Sequence, residues 1–414
     1  MSQTDAAISP QTGENRTVTL VIALMVSTIM GLLYAFSIFI NPLEASFGWQ
    51  RHQTAMTFSL TMVFFSAGML TGGNIMAKLG PGKTACAGGL IAAMGFLVAS
   101  FTPNLFVLYL GYGVMGGYGI GVSNLVPTSV LMRWFPDKKG LAMGLVTMFL
   151  ALGTFFLGTK LCGGLVASHG WVTTFRVIAV TFLVVVSGIG LVLKFPAPGY
   201  KPRGWEPPTG QTDVWGYRRG NMIRTTAFWL ICLWLLFIQL GGLMVVGHVV
   251  PFATEQGVPT AKAVLAMGFY AIANGVGRLF FGWFNDKFGV KPSMIIDCLI
   301  MMSGLVGMIV IFGALGYPGL LISVSLVGLG YSGAVPLAAL LCNSNFGPKY
   351  FPTNYGVFTI PGAVFGGLLG PIIGGYIQAR TGSYTIAILA AASLSALGII
   401  ITLLLREPPR QTDE

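Results

Sequence analysis

Twelve times along its 414 residues this chain runs through about twenty or more mainly apolar positions, broken by short polar or Gly- and Pro-containing turns. A helix of that length crosses roughly 30 Å of hydrocarbon. In lipid every backbone N–H and C=O must be bonded within the chain, which leaves only helices or a closed barrel. Barrel strands read as ten-residue stretches of alternation, and the continuous runs here exclude them. Composition agrees: 54% of residues are hydrophobic and 8% charged, against about a quarter charged in soluble domains. The expected fold is an all-α polytopic membrane protein. The first run is too long for the apolar region of a signal peptide and is expected to remain as a span.

The runs place spans at about 17–43, 53–76, 83–101, 104–132, 139–163, 171–194, 226–250, 260–284, 292–314, 318–344, 352–377 and 383–405. Between the sixth and seventh lies KFPAPGYKPRGWEPPTGQTDVWGYRRG, which is Pro/Gly-rich, polar and basic. It reads as a linker, and divides the chain into a tail (1–16), a six-helix bundle (17–194), the linker (195–225), a second six-helix bundle (226–405) and a short tail (406–414). Of the 23 Lys and Arg, seventeen fall on the side holding the tails and linker, five fall on the other side, and Arg278 lies inside a span. The positive-inside rule then predicts that both termini are cytoplasmic. This distribution accounts for most of the net charge of +11, so no nucleic-acid partner is expected.

The two bundles repeat each other. GNIMAKLGPGK follows span 2 and GWFNDKFGVK follows span 8, so that Gly73 matches Gly282, Lys78 matches Lys287 and Gly80 matches Gly289. WFPDKKGLAMG after span 4 likewise answers YFPTNYGVFTI after span 10. Such duplication suits two pseudo-symmetric bundles rocking about a midplane site.

With these motifs the chain resembles the major facilitator superfamily over nearly its whole length. The paired loops look like that superfamily's signature G-x-x-x-D-[RK]-x-G-[RK]. The second copy carries the acid as Asp286, whereas the first has Ala77 there. The loop latches the halves in the outward-facing state in the superfamily, so the resemblance implies a weaker latch on the N-terminal side. RWFPDKKGLAMGL leading into span 5, YAFSIF in span 1 and the following FGW are similar to the monocarboxylate transporter branch. MIRTTAFW at the start of span 7 also looks like the oxalate/formate exchangers.

Arg278 is the one cation deep inside a span, and Asp297 the one acid clearly within one. A charge at the centre of a span costs about 2.5–3.5 kcal/mol even on insertion scales. On a structural reading Arg278 pairs internally, with Asp297 or with the carbonyls of a broken helix. On a functional reading a carboxylate substrate is its counter-ion, gripped by the guanidinium fork. The resemblance favours the second, because monocarboxylate transporters carry Asp-x-x-x-Arg in span 8. Here the arginine matches Arg278 and the aspartate matches Asn274, which shares its helix face. The first-span lysine of the animal members falls in Ser37-Ile38, and the span-11 cation of the oxalate exchangers has no counterpart in NYGVFTIPGAVFGG. Their proton relay does not carry over, and a single cavity cation suits a monoanion.

Tyr118 and Tyr331, near mid-membrane in spans 4 and 10, read either as carboxylate ligands or as packing groups. Leu145 and Met148 in span 5, Thr28 in span 1 and Phe358 in span 11 are candidate walls of a small apolar pocket. His248, near the outer end of span 7, and Asp297 are candidates for proton coupling or gating, against packing roles. The glycine stripes Gly362, Gly366, Gly370, Gly374 and Gly113, Gly117, Gly121 read as close helix packing. The five cysteines lie in apolar runs without metal-ligand spacing, and Gly82-Lys83-Thr84 lacks the rest of a P-loop. No metal, ATP or other cofactor is expected, and no nucleophile–base pair suggests an enzyme. The expected function is a monomeric secondary transporter of a small monocarboxylate such as lactate or pyruvate, coupled to a proton. An oxalate/formate-type anion exchanger is the nearest alternative, with a drug efflux pump and a non-transporting sensor behind it.

Overall fold

The computed structural model describes residues 16–197, 199–202, 204–206 and 215–410. Most of the expected N-terminal tail, the middle of the linker and the last four residues lie outside them. The described residues are helices and connecting turns, with no strand among them. The first six spans are α1 (Arg16–Phe47), α2 (Arg51–Leu79), α3 (Pro81–Ser100), α4 (Leu105–Trp134), α5 (139–169) and α6 (171–192). Gly170, at φ 78°, breaks the helix between the last two, a conformation open to glycine at little cost. After the linker come α7 (Thr226–Glu255), α8 (Thr260–Phe288), α9 (Val290–Leu315), α10 (Tyr317–Phe346), α11 (351–381) and α12 (Thr385–Leu404).

Eleven helices among the described residues are long and apolar enough to cross a membrane. The remaining expected span is α11, which runs through Phe351–Ile360, the π-helical turn Pro361–Gly366 and Gly367–Thr381. α1 is also irregular, passing through a 3₁₀ stretch at Gly31–Phe36 that holds Tyr34. Such a stretch within a longer helix often marks a hinge or a site under strain.

The halves meet along two equivalent seams, α5 against α8 and α2 against α11. Their backbones touch at matching heights. A Cβ at Gly282 would lie 2.2 Å from the Gly140 carbonyl oxygen, and one at Gly73 would lie 2.4 Å from that of Pro352. One turn further in, a Cβ at Gly144 would lie 2.6 Å from the Arg278 carbonyl oxygen and one at Gly356 would lie 2.3 Å from that of Met69. The sequence repeat is thus a repeat of backbone contacts, and all four lie towards the end of the molecule that carries the linker. We call that end the linker face and the opposite one the far face.

Candidate functional site

Arg278 sits ten residues before the end of α8, about 15 Å along the helix from the linker face. Its Nε donates to Asn274 Oδ1 at 3.2 Å, one turn back on the same helix. Its Nη1 donates to the backbone carbonyl of Thr147 in α5, across the seam between the halves. Among the described residues no ion pair links it to a carboxylate, and the pairing with Asp297 does not occur. Asp297 is instead fully buried against Gly333 of α10, with neither carboxyl oxygen hydrogen-bonded to a side chain.

Four tyrosines lie within electrostatic range of the guanidinium: Tyr34 from α1, Tyr270 from α8, Tyr331 from α10 and Tyr355 from α11. Tyr270 and Tyr331 pack with ring centroids 6.2 Å apart, and the buried Tyr270 hydroxyl lies beside Asn274 without a well-formed hydrogen bond. Tyr34 differs from Tyr270 and Tyr355 in remaining 45% exposed. It combines proximity to the part-buried cation with open access, as expected of a group lining a cavity. The arrangement offers a cation, an amide and several hydroxyls to one small anion, with donors from both halves.

The other predicted residues divide. Tyr331 belongs to the group around Arg278. The Tyr118 hydroxyl accepts from Thr71 Oγ1 at 2.9 Å, within the N-terminal half. Leu145 is partly buried in α5, directly after Gly144, which packs against the Arg278 carbonyl, and it packs on the core. The Thr28 hydroxyl bonds back to the Leu24 carbonyl at 2.8 Å, and its backbone presses on Gly153. Phe358, expected as a pocket wall, is 1% exposed and packs between Phe228 and Phe346, because the ring faces the α7–α10 side of α11. Tyr34 and Tyr355, which the sequence does not single out, also lie near Arg278, within the stretches YAFSIF and NYGVFTI.

His248 joins three helices near the far face. Its Nε2 lies 2.8 Å from the Pro371 carbonyl of α11, and its Nδ1 3.1 Å from the Tyr384 hydroxyl. A carbonyl only accepts, so Nε2 carries hydrogen and Nδ1 is free to accept from the tyrosine. At the linker face Asp286 accepts from the backbone N–H of Gly140 at 2.6 Å and of Leu141 at 2.8 Å. It caps the N-terminus of α5, where unpaired N–H groups and the helix dipole favour an anion. Lys78 and Lys287 are exposed at the ends of α2 and α8, while Gly80 (φ 77°) and Gly289 (φ 84°) turn the chain into α3 and α9. No group of three or more metal-ligating side chains occurs among the described residues.

The family description that matches this chain is that of the Major Facilitator Superfamily, over residues 20–364. The chain belongs to that superfamily. Among curated relatives it is 26% identical over 376 residues to the oxalate:formate antiporter of Oxalobacter formigenes, covering 88% of each chain. It is also 26% identical over 379 residues to monocarboxylate transporter 13 of Rattus norvegicus, covering 91% of this chain and 85% of that one. Its fold is like that of the Escherichia coli fucose:proton symporter FucP, with TM-score 0.73 and 16% identity over 95% of this chain and 100% of FucP. The proton:xylose symporter XylE gives TM-score 0.68 at 13% identity, over 95% and 96% of the two chains. This member of the superfamily is therefore a multi-pass membrane transporter, related to oxalate:formate and monocarboxylate carriers.

Proposed function

We propose that the transporter carries a small monocarboxylate such as lactate or pyruvate by alternating access, accompanied by a proton, as a monomer with its linker face in the cytoplasm. The observation that carries this reading is the part-buried Arg278 guanidinium, which has an amide bonded to it, four phenols within reach of its charge and, among the described residues, no carboxylate paired with it. A substrate carboxylate on its free edge completes a charge-assisted pair and neutralises the one cation in the cavity. Asn274 holds Nε and fixes the plane of the fork. Tyr331 and Tyr34, from opposite halves, supply hydroxyls to the carboxylate or to a 2-hydroxyl. Nη1 on the Thr147 carbonyl ties the same guanidinium to the partner half, so that binding and closure act on one group. His248 is the favoured gating or proton-handling group, since its bonds to Pro371 and Tyr384 tie α7 to α11 and α12.

Arg278→Ala and Arg278→Lys should abolish uptake of labelled lactate into proteoliposomes while the protein remains folded and monodisperse. Undiminished uptake would overturn the assignment. The exchanger reading draws on the antiporter relative and on the same cation, and predicts uptake only when substrate is preloaded on the trans side.

A further inference from the structure

Superposing the two seams by their sequence repeat shows one mismatch at the linker face. On the α5–α8 seam, Gly282 touches Gly140, and Asp286, one turn on, bonds the N–H groups at the start of α5. On the α2–α11 seam, Gly73 touches Pro352, but the position one turn on is Ala77, which has no polar atom to offer. The seam is nevertheless bridged. Arg219, in the short helix Arg219–Met222 that precedes α7, donates from Nη2 to the Leu70 carbonyl of α2 at 2.8 Å. It also donates from Nε at 3.0 Å and from Nη2 at 2.6 Å to the Thr353 carbonyl of α11.

The arm that carries Arg219 is fastened to the C-terminal half. The Tyr217 N–H donates to the Phe346 carbonyl at 2.9 Å, and Asn354 Nδ2 donates to the Tyr217 carbonyl at 2.8 Å. The Tyr217 hydroxyl donates to the Pro409 carbonyl at 2.6 Å. The bond to Leu70 therefore crosses between halves. A planar fork is suited to span two carbonyls at once, and a lysine ammonium is not.

We propose that Arg219 is the second latch of the linker face: a linker side chain that holds α2 to α11 by their carbonyls, where the missing signature acid leaves that seam unlatched. It acts on the closed linker face whatever anion the Arg278 site takes, so its failure and the failure of the substrate assignment are separable.

Hydrogen–deuterium exchange on the purified full-length protein in nanodiscs, without substrate, tests this directly. Arg219→Ala should raise uptake severalfold in segments 70–80 and 351–357 and lower it in the far-face segments 46–54 and 252–262, as the population moves from one closed face to the other. Adding Ala77→Asp to Arg219→Ala, which puts the signature acid back into α2 on the seam with α11, should return both sets towards the wild-type pattern. Arg219→Lys, kept as a milder change should the alanine variant not fold, should give a partial shift in the same direction. Exchange unchanged at the linker face, or raised there with no protection gained at the far face, would show that Arg219 merely packs the linker and would overturn the latch.

Discussion

Tyr34 is the only one of the four phenols around Arg278 that comes from the N-terminal half, and it is 45% exposed. On the proposed reading its hydroxyl bonds an anion held on the opposite half. A hydrogen bond to a charged group contributes about 1.5–3 kcal/mol, and about 1.4 kcal/mol is a tenfold change in binding. Tyr34→Phe should therefore raise the half-saturating lactate concentration roughly tenfold, with little change in thermal stability, since the ring stays and no buried partner is orphaned. An unchanged transport affinity would remove Tyr34 from the site. Asp297 presents the opposite case. It is walled off by Gly333 and Phe281, with no exposed surface. A proton carrier must meet both the cavity and water at some stage, and this geometry supports a packing role. Asp297→Asn keeps shape and hydrogen-bonding capacity, so proton-driven uptake should stay within about twofold of wild type on the residue-scale reasoning of conservative swaps. Loss of the response to a pH gradient, with binding retained, would return Asp297 to the proton path.

At the scale of the helix, function rests on how closely backbones approach. A Cβ at Gly356 would fall 2.3 Å from the Met69 carbonyl oxygen, a contact between main chains that no rotamer change relieves. Gly356→Val should force α2 and α11 apart, pull Leu70 away from Arg219 and hold the linker face open. The expected readout is a loss of lactate transport of at least tenfold in a protein that still purifies as a monodisperse species. Wild-type transport by this variant would mean that the seam does not close so tightly during the cycle. The seams also show which parts of the molecule were legible beforehand. The repeated spacing of Gly73 and Gly282, and the match of the loops around Gly140 and Pro352, announced two equivalent bundles, because close packing demands small residues at regular intervals. Arg278 stood out because an isolated charge in an apolar run is costly. The Arg219 bridge was not legible, since its partners are main-chain carbonyls, which every residue possesses and no pattern marks. Tyr34 and Tyr355 were hidden for a related reason: a tyrosine in an apolar helix reads equally well as packing until the fold brings four of them to one guanidinium.

For the whole molecule, the decisive quantity is the charge that moves with each conformational state. On the proposed reading the cavity carries one positive charge while no carboxylate sits on Arg278, and none once a monocarboxylate is bound. Moving one elementary charge across the full potential is worth about 2.3 kcal/mol per 100 mV, so the return of an empty, charged carrier is the voltage-sensitive step. Inward transport of the anion alone carries negative charge in, and is opposed by an inside-negative potential. If a proton accompanies each monoanion, the complete cycle transfers no net charge and the potential drops out of the driving force. Lactate accumulation in proteoliposomes should therefore follow an imposed inward proton gradient and remain at the same level when valinomycin and potassium set the potential to either sign. Accumulation that tracks the potential would show that the anion moves without its proton. Uptake that ignores both gradients but requires lactate or another carboxylate inside would instead identify an obligatory exchanger, in which the charged empty form never crosses.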